Sequence, residues 1–165
     1  MPELIEPAPK NALALPRYTL TEARALVCAR TADDSQFLKL AAPLASAERG
    51  EPRLSFDALV ALFLKQPVAS ERVEYLDGVP VRFYPFTRDT AHETAPRVIA
   101  VDPRYGFGRP IFADSGVRVD GITGRFRAGE SVAELAEDTG IPAGHIEEAI
   151  RFEALVAPLP PRALP

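Results

Sequence analysis

The chain has 165 residues, 47% of them hydrophobic, a formal net charge of −4 and one cysteine, Cys28. That length holds one domain or two small ones with a real core, and the lone cysteine excludes an internal disulfide and a cysteine-based zinc site. There is no run of about 18 apolar residues to span a membrane, and the acidic, proline-bearing start lacks an apolar signal core, so a cytoplasmic protein is expected.

Residues 1–16, rich in proline and alanine, read as a loose arm. Thr19-Leu20-Thr21-Glu22 has capping-box spacing and opens a helix through about Ala29, with Leu20, Ala23, Leu26 and Val27 on its apolar stripe. Thr31–Ser35 is polar and interrupts it. Phe37, Leu38, Leu40 and Leu44 are apolar, but Pro43 forbids a long helix there. Glu48–Pro52 reads as a loop. Ser55 caps a helix Phe56–Gln66 whose apolar side is Phe56, Leu59, Val60, Phe63 and Leu64, and which ends before Pro67. Residues 17–66 thus form a helical N-terminal unit.

From 67 to 101 the period changes. Val73 and Tyr75, then Val79, Val81 and Phe83, alternate with other residues across Asp77-Gly78, a strong two-residue hairpin signal. Val98–Val101 is a further strand. Residues 102–157 begin with a turn segment and a short hairpin, Ile111–Phe112 with Val117–Val119 across Asp114-Ser115-Gly116. Asp120 then caps a helix Gly121–Ala128. Ser131–Phe152 reads as two short helices joined by a tight turn. Ser131 and Glu134 form a capping box, Val132, Leu135 and Ala136 share a face, and Gly140 supplies a positive φ. Pro142 suits the next helix start, and Ile146, Ala149, Ile150 and Leu155 mark that helix's buried face. This is the pattern of a helix-turn-helix, with an ordinary helical hairpin as the alternative. Residues 158–165 close in a proline-rich tail. The fold class is α+β: an N-terminal helical unit, short antiparallel β-hairpins and a C-terminal three-helix helix-turn-helix.

Charge is uneven along this plan. Glu130 to Glu153 contains seven acids and one base, Arg151, whereas Arg104 to Arg127 contains five arginines against Asp114 and Asp120. A DNA backbone rewards Arg and Lys and repels acids. The residues suited to phosphate are therefore Arg109, Arg118, Arg125 and Arg127, with His145 and Arg151 on the last helix. In the alternative reading these arginines pair with acids of the same domain, such as Glu134, Glu137 or Glu148. The outward face of the last helix would present Ala143, Gly144, His145, Glu148 and Arg151, and its acids Glu147 and Glu148 suit docking on a basic protein surface. Catalysis has no motif. His92 and His145 are far apart, Cys28 has no neighbour to activate it, and the carboxylates of the last two helices fall at solvated positions. Gly106-Phe107-Gly108 is too short for a dinucleotide loop, and zinc-ligand spacing is absent. No cofactor or metal is expected.

Several motifs resemble the small helix-turn-helix family catalogued as domain of unknown function 433. They are Gly108-Arg109-Pro110, the Ser115-Gly116 turn, Val117-Arg118-Val119, Arg125-Phe126-Arg127-Ala128-Gly129-Glu130-Ser131, Glu134-Leu135-Ala136-Glu137 and Ile146-Glu147-Glu148-Ala149. The resemblance covers about Val98–Glu153. Upstream, Tyr18–Ala23 and Leu54–Val60 resemble pieces of the MerR-like N-terminal region of longer members, which are similar to VapB-type antitoxins. The likeness lapses between Cys28 and Leu54, where the Trp- and Arg-bearing second helix of a MerR-like unit is missing. The resemblance implies a non-catalytic antitoxin-like protein that neutralises a PIN-like ribonuclease toxin by direct binding and regulates its own promoter, and a homodimer is expected because two-fold DNA sites are read by dimers. The alternatives are a stand-alone DNA-binding regulator and a dimerisation or adaptor module that does not bind DNA.

Overall fold

The computed structural model describes residues 16–27, 34–48, 50–88 and 95–156. Residues 1–15 of the expected arm, the 158–165 tail, Cys28 and His92 lie outside them, as does the side chain of Leu155. Within them the chain is α+β, with helices and small antiparallel sheets.

The N-terminal part starts as its capping signal predicts. The Thr19 amide donates to Glu22 Oε1 at 2.9 Å and the Glu22 amide to Thr19 Oγ1 at 3.1 Å, launching α1 (Leu20–Val27). Just before it, β1 (Tyr18–Thr19) pairs with β3 (Glu51–Leu54), which also pairs with β2 (Ser46–Glu48). The loop expected at Glu48–Pro52 is therefore a hairpin turning at Gly50, whose φ is 82°. Proline is tolerated in this central strand because β1 pairs only with Arg53 and Leu54, so no partner on that side asks Pro52 for an N–H. Between them lies α2 (Asp34–Ala41), followed by a tight turn Ala42–Leu44 at Pro43. Its Phe37 and Ala41 are buried, while Leu38, Leu40 and Leu44 face solvent.

Ser55 caps α3 (Phe56–Phe63), its hydroxyl accepting from the Ala58 amide at 3.2 Å. This helix stops three residues short of Gln66. The amides of Lys65 and Gln66 reach back only to Leu62 and Phe63, so the last turn tightens before Pro67. The Asp77-Gly78 hairpin forms as predicted from β4 (Val73–Leu76) and β5 (Val79–Phe83), with φ of 53° and 81° at the two turn residues and a bulge between Glu74 and Tyr75. Phe83 closes the N-terminal core, its ring 4.5 Å from Phe63, and bridges to Val101.

The second core is C-terminal. β6 (Ile99–Ala100) pairs with β7 (Ile111–Phe112), and α4 (Val119–Arg127), α5 (Val132–Thr139) and α6 (Ala143–Val156) close over them. Ile99, Phe112, Ile122, Leu135, Ile146 and Phe152 fill it, and Leu26 of α1 packs against both cores. The short hairpin after β7 forms only in part. The Phe112 amide donates to the Val117 carbonyl at 2.8 Å and Ile111 bridges to Arg118, but Val119 already begins α4. Asp120 consequently does not cap that helix. Arg118 occupies the cap position without a side-chain bond, and Asp120 lies in the first turn, where an acid favours the helix dipole.

α5 carries the complete capping box, with the Ser131 amide donating to Glu134 Oε1 at 2.8 Å and the Glu134 amide to Ser131 Oγ at 3.1 Å. Gly140 ends it at φ 77°, and Ile146, Ala149 and Phe152 bury the inner face of α6. Because the box is exposed and local, Ser131→Ala should cost about 1 kcal/mol, read as a lower denaturation midpoint at unchanged slope. An unchanged midpoint would show that the box contributes nothing. Among the described residues no helix is long and apolar enough to cross a membrane.

Candidate functional site

The C-terminal helices present two kinds of charge, and ion pairing sorts them. Arg125 on α4 donates from Nε to Glu130 Oε1 at 2.6 Å and from Nη2 to Asp138 Oδ2 at 2.9 Å. Those hydrogen bonds, from Glu130 first, push its pKa above the ordinary arginine value. Arg127 pairs with Glu153 at 3.6 Å, Arg118 with Asp120 at 2.5 Å, and Arg109 with Glu22 of α1. Arg151 donates to Glu148 Oε1 at 2.6 Å. Every arginine named from the sequence thus has a carboxylate partner, though mostly Glu130, Asp138, Glu153, Asp120 and Glu22 rather than the acids expected.

Glu148 needs correction. Expected on the outward face, it is only 3% exposed. The Thr87 hydroxyl donates to its Oε2, Arg88 holds both oxygens at 3.2 and 2.9 Å, and Arg151 adds a third donor group. Burial alone would raise its pKa, but the bonds from Arg88 and Thr87 and the charges of Arg88 and Arg151 hold it below the ordinary carboxylate value. It ties α6 to the segment after β5. Glu147, one residue earlier, is exposed and makes no ion pair among the described residues, as does Glu137 on α5. His145 is half-buried, and Ala143 and Gly144 are exposed at the start of α6.

Three further anchors tie distant parts of the chain together. Asp102, fully buried, accepts from Arg82 Nε at 2.9 Å and from Arg104 through its amide, Nε and Nη2 at 2.8–2.9 Å. Burial would raise its pKa, but the Arg104 and Arg82 bonds lower it. Tyr18 donates to the Gly108 carbonyl at 2.8 Å, and burial pushes its phenol pKa up. Arg72, 4% exposed, donates to four backbone carbonyls, of Tyr84, Ala95, Pro85 and Pro96, at 2.7–3.3 Å, with its guanidinium 4.7 Å above the Phe86 ring. None of these stood out in the sequence, because each joins residues distant along the chain.

The region agrees with known sequences. Residues 99–152 match the family model described as "Protein of unknown function (DUF433)". A 52-residue stretch is 38% identical to the Mycobacterium tuberculosis protein named "Putative antitoxin VapB45", covering 32% of this chain and 22% of that protein, so the chain spans under a quarter of its relative's length. A crystal structure of Rv2018 from Mycobacterium tuberculosis is also similar, at 22% identity over 73% of this chain and 50% of that one, with a TM-score of 0.41. The segment that builds the second core and carries α4, α5 and most of α6 thus matches the DUF433 family model, and a 52-residue stretch of the chain is similar to the protein named "Putative antitoxin VapB45".

Proposed function

We propose that the chain is an antitoxin-like protein that acts without catalysis, binding and masking a cognate PIN-like ribonuclease toxin. The observation that carries this reading is the 38% identity to a protein named as a VapB antitoxin. The surface fits it. With the arginines of α4 and of the loops before it ion-paired inside the chain, the carboxylates left unpaired on α5 and α6 among the described residues include Glu137 and Glu147. Such a face is repelled by phosphate and attracted by the basic groove in which a ribonuclease holds RNA. Glu147 is therefore the partner-binding residue retained here. Promoter binding would use α5 and α6 as a helix-turn-helix in a homodimer, since two-fold sites are read by dimers. The test is co-expression with the product of the neighbouring gene. A stable complex is expected, and separate elution of the two proteins would refute the reading.

A stand-alone DNA-binding regulator is the second reading, favoured by the side chains of Arg109, Arg118, Arg127 and Arg151, which remain 41–62% exposed despite their pairs. Arg125→Ala and Arg127→Ala separate the two. If these arginines serve the internal pairs, DNA affinity and its salt dependence stay unchanged and the melting temperature falls slightly. If they hold phosphates, affinity for all sequences falls and the salt slope flattens by about one per lost contact. The first outcome is expected, measured by fluorescence anisotropy at two salt concentrations.

A further inference from the structure

Between β6 and β7 the chain makes a knuckle to which the proposed function gives no part. Gly106, Phe107 and Gly108 have φ of 59°, 56° and 79°, three consecutive residues in the left-handed region. Glycine adopts that conformation freely, but a bulky side chain there is strained. The Phe107 ring gains nothing from the bend, being 82% exposed. The bend therefore serves to place backbone, and the two flanking glycines show what it is placed against.

A Cβ at Gly108 would meet Tyr18 Oη at 2.6 Å and Pro16 Cβ at 2.7 Å. Tyr18 is buried, and its hydroxyl donates to the Gly108 carbonyl at 2.8 Å. Arg109 pairs with Glu22, whose other oxygen closes the capping box on the Thr19 amide at 2.9 Å. Two consecutive residues thus hold Pro16, Tyr18 and Glu22. On the other side, a Cβ at Gly106 would meet Ile111 Cγ2 at 2.7 Å and Arg118 Cγ at 3.2 Å, and Arg118 stands at the start of α4. The knuckle therefore lies between the beginnings of two helices, α1 and α4. Its own shape is fixed by the Tyr105 amide on the Asp102 carbonyl, the Gly108 amide on the Tyr105 carbonyl and the Arg109 amide on the Gly106 carbonyl, each at 3.0 Å.

The entry segment has little else to hold it. β1 is two residues long and pairs with β3 only through Tyr18 and Thr19, and so short a pairing is marginal alone. Within α1 only Ala23 and Val27 are fully buried. The knuckle lies inside the stretch that matches the DUF433 model, residues 99–152, and the entry segment lies outside it.

We infer that residues 106–109 form a docking site on the C-terminal unit for the chain's own entry segment, Pro16–Glu22, and that this site, more than the β1–β3 pairing, holds α1 in place. The two glycines are needed because Pro16 and Tyr18 on one side and Ile111 and Arg118 on the other take the space of their side chains.

Hydrogen exchange of the full chain tests this in the wild type, Tyr18→Phe, Gly108→Ala and Gly116→Ala. Gly116 controls for backbone strain, since its φ is 76° but nothing lies within 4 Å of a Cβ there. Tyr18→Phe should speed exchange of the α1 amides about fivefold relative to those of α3 and α6, and Gly108→Ala at least about tenfold. Gly116→Ala should change the three helices alike. Equal changes in all three helices in both Tyr18→Phe and Gly108→Ala would overturn the docking site, as would a Gly116→Ala protein that loosens α1 as selectively. If Gly108→Ala does not fold, Tyr18→Phe decides alone. No partner enters the measurement, so its outcome is independent of the proposed function.

Discussion

Replacing Arg72 with methionine is expected to lower stability by about 3–5 kcal/mol, because hydrogen bonds to a charged donor contribute about 1.5–3 kcal/mol each and four carbonyls lose one at once. Part of that sum is returned by no longer burying a cation. Burial, and then the nearby Arg97, draw the Arg72 pKa down to about 10, so the group is still charged at neutral pH. The carbonyls belong to Tyr84 and Pro85 on one side and Ala95 and Pro96 on the other, so Arg72 staples two separate stretches of backbone. Lysine should not rescue the loss. Its single ammonium has no planar fork with which to span both stretches. Chemical denaturation measures the change, and an Arg72→Lys protein as stable as the wild type would show that charge alone is what matters.

Glu148→Ala is expected to cost about 2–3 kcal/mol, mostly from the Thr87 hydroxyl left without its acceptor in a dry site. The usual penalty for breaking a buried pair is larger, about 3–5 kcal/mol. It shrinks here because the Arg88 and Arg151 side chains are 41% and 51% exposed, so water takes up their charges. The pH dependence has a definite sign. Glu148 and Asp102 both have folded pKa values below their unfolded ones. Their stabilisation is therefore complete above the ordinary carboxylate range, about 3.9–4.3, and is lost as pH falls through the lower folded values. Glu153, raised by burial, works in the opposite sense and blunts the effect. The melting temperature of the wild type should fall on acidification below about pH 4, and Glu148→Gln should flatten that fall. An equal fall in the variant would remove Glu148 from the acid response.

The local signals were legible in the sequence because each needs only a few adjacent residues. The capping boxes at Thr19–Glu22 and Ser131–Glu134, the Ser55 cap, the Asp77-Gly78 turn and the Gly140 helix end all formed as their chemistry requires. The hairpin of β2 and β3 was hidden because Pro52 and four glutamates or arginines in Glu48–Arg53 erase the strand alternation. Asp120 is not the cap because the chain enters the helix two residues earlier than Gly121, at Val119. Glu148 was misplaced because its donors Thr87 and Arg88 lie some sixty residues upstream. One signal for it did exist. Phe152, fully buried, stands four residues on, which places Glu148 on the inner face of α6. Pairing within the domain was a legible alternative for the arginines, but partners such as Glu22 for Arg109 depend on the tertiary fold. The strain at Phe107 had a sequence trace in its two flanking glycines, though the exposure of the ring did not.

The proposed inhibition by direct binding is tested most directly by RNA cleavage with a PIN-like ribonuclease, should the neighbouring gene encode one, titrated with this protein. Cleavage should fall in proportion to added protein and cease near equal amounts, with Glu147→Lys requiring an excess. Undiminished cleavage in the presence of saturating wild-type protein would contradict the antitoxin-like reading.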